Sequence, residues 1–110
     1  LAGTARGGGV VLDDGTALAT GDECDGRVFV VIRPSAIGVY AGQPHGSPRN
    51  SWPAVLTSVE QQGHAVRLAA IGPPDVFVDV TPEAVAELRL TIGSKVWLSV
   101  KATDLVVYAD

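Results

Sequence analysis

The sequence predicts an all-β fold of two related lobes, the second of which carries one short helix. Three observations predict it. Short β-branched runs recur between Gly-, Pro- and Asp-rich turns, at a spacing that suits a small barrel and not βαβ units. Helix-start chemistry is clear at one place, Thr81-Pro82-Glu83. A pattern running from Val28 to Tyr40, Val-Phe-Val-Val-Ile-Arg-Pro-Ser-Ala-Ile-Gly-Val-Tyr, returns 68 residues later as Val-Trp-Leu-Ser-Val-Lys-Ala-Thr-Asp-Leu-Val-Val-Tyr, from Val96 to Tyr108. Each copy runs from a strand through a basic residue and a small polar turn into a second strand. Any two apolar strand pairs look broadly alike. Here the basic residue, the hydroxyl and the final Tyr also keep register, which favours duplication. The lobes are expected at residues 1–45 and 46–110.

Taken in order, Val10-Val11-Leu12 reads as a strand and Asp13-Asp14-Gly15 as a hairpin turn, because Gly accepts positive φ. Thr16-Ala17-Leu18-Ala19 is the return strand, Gly7-Gly8-Gly9 another turn, and residues 21–26 a polar loop. Residues 28–32 are apolar at both parities, which predicts a strand buried on both faces. Pro34 ends it or forces it to an edge, and Ile37-Gly38-Val39-Tyr40 forms a short strand. Residues 41–50 read as a connector. Residues 54–60 and 64–70 are strands around Gln61-Gln62-Gly63, with Val66 and Leu68 on one face. After the turn Ile71-Gly72-Pro73-Pro74, Val76, Val78 and Val80 alternate with Asp75, Phe77 and Asp79, a period of two. Thr81 caps the helix, Pro82 suits its first position, and Glu83 favours the positive end of its dipole. Val85 and Leu88 form its apolar stripe, and Gly93 ends the segment beyond it. Residues 95–101, with Val96, Leu98 and Val100 inward, and residues 105–108 complete the strands.

At 110 residues the chain suits one compact domain or two small lobes sharing a core, and its 46% hydrophobic content is too high for disorder. No apolar run is long enough to span a membrane. The start, Leu1-Ala2-Gly3-Thr4-Ala5-Arg6, has neither an initiator Met nor a signal-peptide core, and the chain contains no Met. We expect an excised segment. Cys24, the single cysteine, excludes an internal disulfide and fits a reducing cytoplasm. The net charge of −4 argues against a general nucleic-acid binder, but not against a local anion site built from a few aimed donors.

Two constellations have the equipment for such a site. The turn Gly46-Ser47-Pro48-Arg49-Asn50 offers a hydroxyl, a guanidinium, an amide and backbone N–H groups. By composition alone it also reads as a solvated surface loop. Lys101 and Thr103 supply a charge and a hydroxyl just past a strand end, where a routine strand-end lysine is equally ordinary. Arg33 and Ser35 hold the equivalent place in the first lobe, but Pro34 removes an N–H and favours a structural turn. Cys24, His45 and His64 have no ligand spacing, so no metal site is expected. His45 stands near the anion turn in sequence. Gly21-x4-Gly26-Arg27 lacks the Lys-Ser/Thr ending of a phosphate loop. Asp75 and Asp79 have no nucleophile or base beside them in sequence, and no catalytic residue is assigned. Trp52 and Trp97 suit a core or an interface; base stacking is the other use of such residues, disfavoured here by the acidic balance.

With both halves in view, the chain resembles the molybdate-binding Mop, or transport-associated OB-type (TOBE), domain. In particular it is similar to the C-terminal regulatory segment of the ATP-binding subunit of molybdate-importing ABC transporters. The residues carrying the resemblance are Gly46-Ser-Pro-Arg-Asn-Ser-Trp52, the run from Val80 to Leu90 and the run from Val96 to Leu105. The front, with Ile32-Arg-Pro-Ser-Ala-Ile37, resembles the first lobe of the same tail. The family's anion motif is Ser-Ala-Arg-Asn in one place and Lys-Ser-Thr in the other. Ser47, Arg49 and Asn50 match the first; Lys101 and Thr103 match the second. Pro48 stands in place of Ala and Ala102 in place of Ser, and each substitution removes a donor.

The resemblance implies OB-fold-like small barrels and molybdate or tungstate as ligand, with no other cofactor. It implies a homodimer, since in relatives the two motifs come from different chains. The expected setting is the ATPase domain of the same chain together with the membrane permease subunits, in the cytoplasm at the inner face of the plasma membrane. The expected job is sensing, with no chemistry in this segment and no nucleic-acid partner. The alternative is a structural dimerisation tail of an importer for another substrate, a sugar or polyamine, without anion binding.

Overall fold

A computed structural model describes the chain except for residue 22 and residues 46–48; the side chain of Arg49 is likewise outside the described residues. Among the described residues ten strands, β1 (Ala2–Arg6), β2 (Gly9–Leu12), β3 (Ala17–Ala19), β4 (Gly26–Ile32), β5 (Gly38–Tyr40), β6 (Arg49–Gln62), β7 (Ala65–Ile71), β8 (Val76–Val80), β9 (Lys95–Lys101) and β10 (Leu105–Ala109), form two antiparallel sheets. The single α-helix of the described residues, α1 (Pro82–Leu88), joins β8 to β9. Two 3-10 turns, Pro34–Ala36 and Ala102–Asp104, follow β4 and β9.

The first sheet runs β10-β4-β1-β2-β3 and the second β5-β9-β6-β7-β8. The two orders correspond term by term, so the repeat in the sequence is a repeat of structure. The two 3-10 turns confirm it: Arg33 enters the first at φ −67, ψ 133, and Lys101 enters the second at φ −69, ψ 141. Each sheet also takes its outermost strand from the other half of the chain. β5 pairs with β9, and β10 pairs with β4. The exchange ties the halves into one body, and a single buried cluster spans both.

That cluster follows from alternation. Val28 and Val30 of β4, Leu56 of β6, Leu68 of β7, Val78 of β8 and Leu98 and Val100 of β9 are all buried. Each such side chain contributes about 1.5–3 kcal/mol relative to exposure. The expectation that residues 28–32 are buried on both faces is corrected. Phe29 and Val31 are 47% and 45% exposed, so β4 buries one face only. Their strand partners on β10, Tyr108 and Val106, are exposed beside them. A continuous apolar run does not distinguish these cases, because both parities are filled.

β6 also starts earlier than expected, at Arg49, within the stretch read as connector. Pro53 is tolerated there because β7 pairs with β6 only from Val55 onward, leaving one ladder at the proline. At α1 the expected cap is present: the Thr81 hydroxyl accepts the Ala84 N–H at 3.1 Å. The helix ends at Arg89 in the left-handed region, φ 52, with Leu90 N–H returning to the Val85 carbonyl at 3.0 Å. Val85 and Leu88 pack on the core. No helix of the described residues is long and apolar enough to cross a membrane.

Candidate oxyanion site

β6 begins and β9 ends at the same place. Antiparallel register sets Arg49 opposite Lys101, Asn50 opposite Val100 and Ser51 opposite Ser99. Two motifs far apart in sequence therefore meet in one chain. Lys101 is exposed, and among the described residues it makes no ion pair. Ser47 lies outside the described residues, and for Arg49 only the backbone position is defined.

Asn50 is used differently from its neighbours. It shares strand parity with Trp52, which is buried, and its side chain reaches β3 of the other sheet. Its Oδ1 accepts the Ala19 N–H at 2.7 Å, and its Nδ2 donates to the Ala19 carbonyl at 2.9 Å. The amide thus stands in for a neighbouring strand at the edge of the first sheet and fastens the two sheets together. One Nδ2 hydrogen is left for another acceptor.

Thr103 is exposed on the second 3-10 turn, and this turn is backed by the loop before β4. Gly21 N–H donates to the Ala102 carbonyl at 3.1 Å. A Cβ at Gly21 would stand 3.3 Å from Thr103 Cα and 3.4 Å from its Cγ2. Thr103 does not line the groove into which Lys101 opens.

That groove has a volume of about 240 Å³ and is lined by Ser35, Gly38, Tyr40, Ser99, Lys101 and Asp104, among others. Ser99 is 4% exposed, the one buried polar residue among those described. Tyr40 folds back over Gly38, where a Cβ would stand 2.9 Å from its Oη, so glycine is needed for the ring to lie there. Sequence reasoning noted Ser35 but not that it would share a groove with Lys101. It missed Ser99, and it noted Tyr40 and Asp104 only as members of the repeat. The repeat register of Ser35 and Thr103 was the one available signal.

A larger cavity, about 400 Å³, lies farther along the same sheet against Pro53, Val55, Ile71, Lys95 and Trp97. Its lining is mostly apolar, with Lys95 and Trp97 as the only side chains that carry a donor, fewer than the groove of Lys101 offers. Trp52 is 5% exposed and too deep to stack on a base. The ion pairs of the described residues also stand outside the groove. Arg27 meets Asp13 at 2.8 Å and Arg67 meets Asp79 at 2.8 Å, and each guanidinium holds its carboxyl below the usual carboxylate range.

The model of the TOBE domain matches residues 46–107, more than half of the chain. Over 95 residues the chain is 36% identical to the molybdenum import ATP-binding protein ModC of Mycobacterium tuberculosis, in both strain H37Rv and strain CDC 1551. The match takes in 83% of this chain and 25% of ModC, so the chain spans about a quarter of the length of these curated relatives. The fold matches a crystal structure of the cytoplasmic molybdate-binding protein ModG with molybdate bound. The TM-score is 0.85 over 99% of this chain and 94% of that one, at 19% identity. On the family match, which spans the strand pair that sets Arg49 opposite Lys101, the chain belongs to the TOBE-domain family.

Proposed function

We propose that this TOBE domain is the regulatory part of the ATP-binding subunit of a molybdate or tungstate importer, in the cytoplasm at the inner face of the plasma membrane. A TOBE domain binds and regulates and is not a catalyst. One observation carries the reading: the two cationic residues of the resembled motifs, Arg49 and Lys101, are direct strand partners. Like charges opposite each other in an antiparallel pair are unfavourable, and a dianion between them reverses the sign. In this reading Ser47, Arg49 and Lys101 hold the anion; Asn50, turned to Ala19, and Thr103, set against Gly21, stand off the Lys101 groove of their own chain and join the site only where a second copy brings the motifs together, as in the relatives. Residues 1–45 are the lobe that follows the ATPase domain, and residues 46–110 are the oxyanion lobe. The relatives ModC and ModG support molybdate as the ligand. The exposed strip of Phe29, Val31, Val106 and Tyr108 supports a homodimer. Bound oxyanion then biases the attached ATPase dimer against the permease subunits.

Calorimetric titration of the 110-residue chain with molybdate, tungstate, sulfate and phosphate tests this. Saturable binding of the first two is expected, with a loss of about tenfold or more in Lys101→Ala, the size of one hydrogen bond to a charged group. Absence of molybdate and tungstate binding in the unmodified chain overturns the reading. A second reading, a structural tail without anion binding, is favoured by the Asn50 amide already spent on Ala19. A dimer that gives no heat with any oxyanion is its signature.

A further inference from the structure

The repeat places Ser35 in the first half where Thr103 stands in the second, and the two residues end up in different surroundings. Thr103 packs against Gly21, while Ser35 lines the groove of Lys101. Strand exchange is the cause. β5 crosses to the second sheet and pairs with β9, Gly38 opposite Ser99, and so carries the 3-10 turn before it to the end of β9. The groove of about 240 Å³ has room for several groups the size of a water molecule, at about 30 Å³ each. On its lining are one cation, Lys101, the hydroxyl residues Ser35, Ser99 and Tyr40, and one carboxylate, Asp104. Lys101 and Asp104 are not ion-paired among the described residues.

Resting on the oxyanion reading above, we propose that Ser35, contributed by the first half of the chain, donates a hydrogen bond to the same anion that Lys101 holds, and that Asp104, on the lining of the same groove, opposes this anion. A hydroxyl donates to any oxyanion, whereas a carboxylate only accepts. The two side chains therefore act with opposite sign on a ligand that has no proton to give. Ser35 strengthens the binding of molybdate, and Asp104 weakens it. Asp104 also favours anions that keep a proton, such as hydrogen phosphate, because such a proton finds an acceptor there.

The test is titration of molybdate into the unmodified chain, Ser35→Ala, Asp104→Asn and Lys101→Ala, with phosphate titrated in parallel and thermal unfolding followed for each. Ser35 is exposed, so its truncation leaves the fold intact. Loss of one hydrogen bond to a charged acceptor weakens molybdate binding by about tenfold or more in Ser35→Ala. Asp104→Asn binds molybdate several-fold more tightly and reduces the affinity for phosphate relative to molybdate. Opposite signs at two positions are not the mark of a general structural defect. If Ser35→Ala and Asp104→Asn bind as the unmodified chain does while Lys101→Ala is weakened, the proposal fails and the oxyanion reading stands. If the unmodified chain binds no molybdate, both fail together.

Discussion

Replacing Asn50 by Ala removes the side chain that bridges the two sheets. The loss comprises two hydrogen bonds, at 2.7 and 2.9 Å, to the N–H and carbonyl of Ala19. Each bond is worth about 0.5–1.5 kcal/mol net, which sums to about 1–3 kcal/mol. Water reaches the exposed edge of β3 and replaces part of this, so the expected loss is in the lower half, about 1–2 kcal/mol. For a domain of this size that lowers Tm by roughly 5–12 °C. Urea denaturation measures the loss directly, and hydrogen exchange at the Ala19 amide reports whether the edge has opened. Asn50→Asp refines the test. Its carboxylate still accepts the Ala19 N–H but cannot donate to the Ala19 carbonyl. The variant is therefore destabilised at neutral pH and recovers part of the loss in acid, as the carboxyl takes up a proton and becomes a donor. A loss below about 0.5 kcal/mol in Asn50→Ala, with unchanged exchange at Ala19, refutes the bridging role, since even one such bond is worth that much.

Three further outcomes are expected. Leu68→Ala, at a fully buried position of β7, costs about 3–5 kcal/mol by the transfer and cavity terms together, measured by urea denaturation. In the Arg67–Asp79 pair, the guanidinium bonds of 2.8 and 2.9 Å hold the Asp79 carboxyl below its unfolded value of 3.8. The pair's contribution is therefore complete above that value and is lost as pH falls through the lower folded one, so acid titration of stability is shallower in Asp79→Asn. Tyr108→Glu sets a charge opposite Phe29 in the exposed strip of the first sheet and is expected to halve the mass in solution, read by light scattering, if that strip holds the second copy.

Much of this architecture was legible in the residues. Thr81-Pro82-Glu83 marked the helix start, Asp13-Asp14-Gly15 the hairpin between β2 and β3, with Gly15 at φ 94, and the repeat from Val28 to Tyr40 and Val96 to Tyr108 the duplication. The strand exchange was not legible. β5 and β10 have the same residue pattern whichever sheet they join, and only long-range pairing decides. The exposed face of β4 followed from the same blindness, because Phe29 and Val31 look like core until their neighbour on β10 is known to be exposed as well. Of the site, Arg49 and Lys101 were legible as separate motifs, but their register was not. Asn50 was read as a ligand donor from its motif, and no local pattern pointed to a partner on β3. Ser35 reaches the groove through the exchanged strand, which sequence spacing does not encode.

The most direct test of the central claim is a tungstate-bound crystal structure with data collected at the tungsten absorption edge. An anomalous peak is expected at the meeting of β6 and β9, between Arg49 and Lys101 and within reach of Ser35 in the groove. A well-occupied peak elsewhere on the domain, or none at saturating tungstate, contradicts the claim.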